Sequence, residues 1–221
     1  MIAKESLKFI TDLKKNNDRD WFIANKTRYD VYKENYHNLI ASFLETMIPL
    51  DDSLKNLTVK NCAFRINRDI RFSKDKTPYK THLGIWMSAG QKNTNLAGYY
   101  IHIEPSASFL AAGVYWPEAA DLKKIRKEIA FFHDELDAIV KDKKFSSAFG
   151  ALDTSHALKT APKGYEKDHE AIEYLKLKSF TATAKIDDKI LLDADFVKKV
   201  SEKLILLKPL NGFLNRALQS E

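Results

Sequence analysis

The residues best suited to chemistry lie between positions 60 and 104. Seven basic residues, Lys60, Arg65, Arg68, Arg71, Lys74, Lys76 and Lys80, stand against two acidic ones, Asp69 and Asp75, between Lys60 and His82, a local balance of +5. The whole chain has 36 Lys and Arg against 30 Asp and Glu, a net +6, so the rest holds 29 basic and 28 acidic groups and is close to neutral. A surplus gathered in so short a segment points to an anionic partner. Arginine's planar fork matches phosphate or carboxylate at two points, and lysine adds a mobile point charge. Next to this run, His82, Tyr100, His102 and Glu104 add the titratable groups and fixed donors that ligand sites use. The competing reading is a structural loop in which Arg65 and Arg71 pair with Glu104, Asp69 or Asp75.

Other chemistries fit less well. His82, His102 and Glu104 make a sufficient ligand set for iron or zinc, but the positive surroundings oppose a cation and His-x-Glu is too short a pattern to be specific, so no metal is assigned. The one cysteine, Cys62, falls on an apolar face where a thiol is inert, and Ser73 has no base beside it. A lone cysteine also excludes an intrachain disulfide, so a reducing cytoplasm is the expected home. No Gly-rich phosphate loop is present and no cofactor is called for. Phe64, Phe72, Tyr79 and Trp86 interleave with the basic residues and could stack bases, and the pI of about 9.1 is compatible with nucleic acid. However, no recognised nucleic-acid motif is matched, and +6 on 221 residues is modest for a dedicated binder. The preferred expectation is a basic pocket for a phosphate- or carboxylate-bearing small molecule, with catalysis left open. The alternative is a non-catalytic interaction module whose basic surface meets nucleic acid or an acidic protein.

Positioning these groups requires a sheet and helices. Leu7, Ile10 and Leu13 predict a first helix over 4–15, ended by Asn16 and Asn17. Asp18 caps a second, whose stripe from Trp21 through Tyr29, Tyr32, Tyr36, Leu39 and Phe43 to Met47 predicts one long helix that Pro49 stops. The period then changes to two. Residues 62–67, 82–88, 98–104 and 108–116 read as strands, the last two as a hairpin turning at Pro105 and Ser106. Period-two geometry puts Arg65, His82, Trp86, Tyr100, His102 and Glu104 opposite the apolar residues of their own strands. A helix over 118–141, a brief one over 142–150 closed by Gly150, another near 169–176, a strand over 179–186 and a helix from 193 that restarts at Pro209 complete the chain. These elements predict a single-domain α+β fold over residues 1–221, a mainly antiparallel sheet packed with a long N-terminal helix, a central helix and a C-terminal helix. Lys4, Glu5, Lys8 and Asp12 exclude a secretory apolar segment at the start, and no run of eighteen apolar residues occurs, so a soluble protein is expected.

Several strings are more specific than their periodicity. The run Phe64-Arg65-Ile66-Asn67-Arg68-Asp69-Ile70-Arg71-Phe72-Ser73-Lys74-Asp75-Lys76-Thr77-Pro78-Tyr79-Lys80-Thr81-His82 closely resembles the signature of the DUF2461 family of uncharacterised proteins. Asn16-Asn17-Asp18-Arg19-Asp20-Trp21-Phe22, Gly98-Tyr99-Tyr100-Ile101-His102-Ile103-Glu104-Pro105, Pro162-Lys163-Gly164-Tyr165 and Tyr174-Leu175-Lys176 follow in the family's order. The resemblance implies a family but no reaction. One departure is Ala111-Ala112-Gly113, where a more glycine-rich turn is expected and a close backbone approach is put in doubt.

Overall fold

Residues 1–90 and 94–220 are described by a computed structural model. Helix α1 (Lys4–Lys15) buries Phe9, Ile10 and Leu13. Asp18 caps the next helix by accepting the Trp21 N–H at 2.8 Å. The expected single long helix is instead two, α2 (Arg19–Ala24) and α3 (Lys26–Met47). Asn25 divides them: its backbone leaves helical geometry at φ −107° and ψ 21°, and its side-chain amide adds a second bond to the Trp21 carbonyl at 2.9 Å.

A second difference lies at 62–67. The short helix α4 (Val59–Cys62) replaces the start of the expected strand, with Asn61 accepting from the Thr58 N–H at 2.9 Å. Beyond it only isolated bridges form, Ala63 to Ile85 and Asn67 to Tyr79. The backbone bonds of this segment are split between α3 and the short Asn67–Tyr79 bridge and form no continuous ladder. The Phe64 N–H donates to the Tyr36 hydroxyl at 2.9 Å, the Ile66 carbonyl accepts from Lys80 N–H at 2.8 Å, and the Arg68 N–H donates to the Pro78 carbonyl at 2.9 Å. Cys62 and Ile66 are buried as the alternation requires, but Phe64 is 38% exposed.

The sheet is four-stranded and wholly antiparallel, in the order β1 (Leu83–Ser88), β2 (Gly98–Ile103), β3 (Phe109–Val114), β4 (Phe180–Lys185). The architecture is α+β. One face carries Ile85, Met87, Tyr99, Ile101, Leu110, Ala112, Phe180 and Ala182, all buried, as period two dictates. Between β3 and β4 the chain forms α5 (Ala119–Phe131), α6 (His133–Lys141), α7 (Lys143–Phe149) and α8 (Ile172–Leu175). The single helix expected over 118–141 is thus broken, at Phe132, which leaves helical geometry with its ring under the Arg216 guanidinium. Helix α9 (Phe196–Leu204) is followed by a tight 3₁₀ turn and α10 (Lys208–Gln219), with Pro209 in its first turn, where a missing N–H costs nothing. The apolar sides of α3, α9 and α10 join the sheet in one core cluster. Among the described residues, no helix is long and apolar enough to cross a membrane.

Ala111-Ala112-Gly113 is part of β3 rather than a turn. The close approach falls at Gly113, whose φ is +118° and where a Cβ would lie 1.9 Å from the Phe180 carbonyl oxygen. Gly113→Ala is expected to lower stability by about 2 kcal/mol or more, about 5 °C in thermal melting. An unchanged melting temperature would show that β3 and β4 do not approach this closely.

Candidate functional site

Between α3, α4, the 63–67 segment and the start of β1 lies a cavity of about 480 Å³. Four cationic side chains line it, Lys33 from α3, Lys60 from α4, and Arg65 and Lys80 from the basic run. His37 and His82 join them, and no carboxylate is among the described residues of the wall. The back of the cavity is aromatic. Tyr29, Tyr32 and Tyr36 follow one another along α3 with ring centroids 6.1 Å apart at each step. Burial pushes the phenols of Tyr32 and Tyr36 well above the ordinary range, so both stay neutral. Tyr36 also pins the wall together, donating to the Gly84 carbonyl while accepting the Phe64 N–H.

The rest of the basic run is turned to a different purpose. Arg68 donates to Asp75 at 2.6 Å and to the Thr77 carbonyl and hydroxyl. Arg71 grips Asp69 with two hydrogen bonds, 3.0 and 2.7 Å, and Lys76 caps the Ile70 carbonyl at 3.0 Å. These pairings hold the Asp69 and Asp75 carboxyls below their ordinary range; hydrogen bonds from Arg71 dominate at Asp69 and those from Thr77 at Asp75. The loop is anchored at its base by Tyr79, whose N–H and carbonyl both bond to the Asn17 side chain, at 3.0 and 2.9 Å, and whose ring stacks on Phe22 at 4.1 Å. Of the two arginines in the structural reading, Arg71 is held by Asp69 while Arg65 lines the cavity; Arg68, which that reading did not name, is held by Asp75 and Thr77, and Arg68, Arg71 and Lys76 lie outside the cavity. Arg68→Ala removes the bonds to Asp75 and Thr77 together and is expected to raise amide exchange across 69–77 by about tenfold or more, without altering the cavity. Unchanged exchange would mean that Arg68 does not hold the loop.

The third group sits on the sheet face opposite the core. His82, just before β1, falls opposite Glu104 when the Leu83 to Ile103 register is continued by one residue. His102 is paired with Phe109 on the next strand and lies between two rings, His82 at 4.2 Å and Phe109 at 4.6 Å. Its Nδ1 meets the Tyr100 hydroxyl at 3.1 Å and its Nε2 meets Glu104 Oε2 at 3.3 Å, two residues to either side on the same strand face. Gly84 stands opposite His102, and a Cβ there would come within 2.9 Å of the Tyr100 hydroxyl. Burial pushes the His82 imidazole down to about 4, helped by the neighbouring His102 and Lys80 against Glu104. His102 is lowered by burial too, against the pull of Glu104. For Glu104 burial opposes ionisation, but Lys14, 2.7 Å from Oε1, and His102 outweigh it, and the carboxyl titrates below its usual range. Near neutral pH the trio is two neutral imidazoles and one carboxylate.

Of the residues expected at the site, Arg65, Lys80 and His82 line the cavity, while Tyr100, His102 and Glu104 adjoin it through His82. Lys33 and His37 were not among them. Their signal is an i, i+4 pair bordering the tyrosine stripe of α3, the polar edge of a face otherwise turned inward. Lys60 belongs to the counted basic run and gains its place only through α4. Lys14 is brought to Glu104 by the packing of α1 beside the sheet, which no local pattern shows.

No curated protein matches the chain, and no solved structure does. The family described as "Conserved hypothetical protein (DUF2461)" matches residues 5–213. That span contains both bridge-forming segments of the basic run, the whole sheet and every cavity-lining side chain, and the chain belongs to the DUF2461 family.

Proposed function

We propose that the protein binds a small molecule carrying a phosphate or carboxylate group in the cavity between α3, α4 and the 63–67 segment. One observation carries this reading: four cations and two imidazoles converge on one concavity with no carboxylate in its described wall. Like charges gathered in a recess repel one another, and an anion is the natural relief. The volume is that of a small-ligand site, and the tyrosine wall offers a flat apolar surface to the remainder of the ligand. The expected setting is the cytoplasm, where phosphorylated metabolites and organic acids are abundant partners.

A thermal-shift screen of inorganic phosphate, pyrophosphate, nucleotides, sugar phosphates and organic acids tests the reading, since a ligand of the native state raises the melting temperature by mass action. The expected result is a concentration-dependent rise of several degrees with at least one anion and none with sodium chloride at equal ionic strength. No rise with any of them would overturn it.

A second reading is favoured by one feature of the loop. Phe72 is 95% exposed at the tip of the basic run, with Arg71 5.7 Å from its ring. An exposed aromatic flanked by cations is the kind of contact that single-stranded nucleic acid uses. Salt-sensitive retention of a single-stranded oligonucleotide, lost in Phe72→Ala, would support the interaction module over the small-molecule pocket.

A further inference from the structure

The sheet face beside the cavity holds a group whose geometry exceeds what packing needs. His82, His102 and Glu104 each offer one ligand atom, and these atoms all lie within 4.8 Å of one another. We propose that His82, His102 and Glu104 bind a divalent transition-metal ion of the zinc class, leaving its remaining coordination positions open.

Three observations carry the assignment. The first is the donor set: two imidazoles and a carboxylate select zinc, iron, cobalt or nickel over magnesium and calcium, and three protein ligands leave positions for water or substrate. The second is spacing. Metal–ligand bonds of about 2.0–2.1 Å place tetrahedral ligands about 3.4 Å apart. His102 Nε2 and Glu104 Oε2 are already 3.3 Å apart and the His82 ligand atom lies within 4.8 Å of both, so closing the set asks only His82 to move inward. The third is the presence of outer partners. His102 is clamped between His82 and Phe109, and its Nδ1 faces the Tyr100 hydroxyl, so the tautomer that frees Nε2 for a metal can donate its Nδ1–H to Tyr100. Lys14 holds Glu104 by Oε1 and leaves Oε2 turned toward His102. Outer hydrogen bonds of this kind orient metal ligands and tune their affinity.

The basic surroundings, which count against a cation in the sequence, do not occupy the ligand atoms. Lys80 reaches the Arg65 carbonyl at 2.7 Å, and Lys14 contacts the carboxylate oxygen that the proposed site does not use. The inference does not depend on anion binding, because it stands on the three ligands alone. Should both hold, the ion would sit at the cavity's edge, since His82 also lines the wall.

The test uses the whole 221-residue chain, stripped with chelator and titrated with Co²⁺, read by visible absorption, and with Zn²⁺, read by competition. One Co²⁺ per chain with d–d bands of four- or five-coordinate character is expected, displaced by Zn²⁺ and indifferent to millimolar Mg²⁺. His102→Ala and His82→Ala should weaken binding by about a hundredfold or more, and Tyr100→Phe by about tenfold. His156→Ala, at a histidine outside the trio that packs on Trp116, should bind as the parent does. Because His102→Ala could disturb the stacked rings, Glu104→Gln, which keeps size and removes the anionic ligand together with its ion pair to Lys14, serves as the second variant, with circular dichroism to show that each is folded. Absence of stoichiometric Co²⁺, or Co²⁺ bound equally well by folded Glu104→Gln and His82→Ala, overturns the proposal. Either result leaves the anion screen unaffected, so failure of one reading is distinguishable from failure of the other.

Discussion

Replacing Lys60 and Arg65 together by Glu is expected to abolish phosphate binding, a loss of at least about a hundredfold in affinity. Each cation contributes a charge-assisted hydrogen bond to a bound anion worth about 1.5–3 kcal/mol, and removing two costs about 3–6 kcal/mol before the repulsion from the new carboxylates is counted. Both side chains are exposed, one on the four-residue α4 and one on the irregular 63–67 segment, so the fold should melt within about a degree of the parent. Arg71→Glu provides the contrast. Arg71 belongs to the same basic run but is held by Asp69 outside the cavity, and its replacement should change phosphate affinity by less than about twofold at physiological salt. Calorimetric titration with inorganic phosphate and pyrophosphate separates the two cases. Equal losses in both variants would mean that general positive charge, rather than the cavity, attracts the anion.

Tyr36→Phe should be the most destabilising conservative change in the cavity wall, by about 2–4 kcal/mol. Its hydroxyl satisfies two backbone groups at once, the buried Gly84 carbonyl of β1 and the half-buried Phe64 N–H of the segment beside it. Deleting the oxygen leaves both without that partner while the ring's packing survives; the buried carbonyl costs about 1–3 kcal/mol and the half-buried N–H about 1 kcal/mol. A chain of this size should then melt about 4–16 °C lower. Since the same hydroxyl draws residues 63–64 toward α3, phosphate affinity should fall several-fold as well. Urea denaturation measures the stability directly; a loss below about 0.5 kcal/mol would show that the two backbone groups find other partners and that Tyr36 does not hold the wall.

The β1–β2 half of the sheet was legible because both strands alternate cleanly. Leu83, Ile85 and Met87 against Gly84, Trp86 and Ser88, or Tyr99, Ile101 and Ile103 against Tyr100, His102 and Glu104, leave one register that buries the apolar set. The alternation of 62–67 is just as regular, yet the segment does not join a ladder. Its backbone bonds are split between partners: the Phe64 N–H goes to Tyr36, while Ile66 and Arg68 bond Lys80 and Pro78 in the short Asn67–Tyr79 bridge, and a tyrosine 28 residues upstream is invisible to local periodicity. Asn25 and Phe132 broke two expected helices where their backbones leave helical geometry, one with its side-chain amide bonded to the Trp21 carbonyl and the other with its ring engaged by Arg216.

The site was legible in part. Charge counting located the basic run and the strand pattern put His82, His102 and Glu104 on the polar sides of their own strands; the register that stacks His82 on His102 belongs to the fold. Counting could not distinguish Arg65 and Lys80, which face the cavity, from Arg68 and Arg71, which are neutralised by Asp75 and Asp69 two to seven residues away. Nor could it find Lys33 and His37, whose relevance arises only when α3 packs across the chain from the basic run. Balance within a segment is a sequence property, whereas convergence on a recess belongs to tertiary structure.

The central claim is that an anion occupies the recess between α3, α4 and residues 63–67. Crystals grown or soaked with tungstate, an electron-dense phosphate mimic, locate it whatever the natural ligand is. The account predicts one well-ordered tungstate within hydrogen-bonding reach of at least two of Lys33, Lys60, Arg65 and Lys80, and its disappearance from crystals of the Lys60→Glu, Arg65→Glu variant. Tungstate found only on the Arg68–Lys76 loop, or unchanged in the variant, would contradict it.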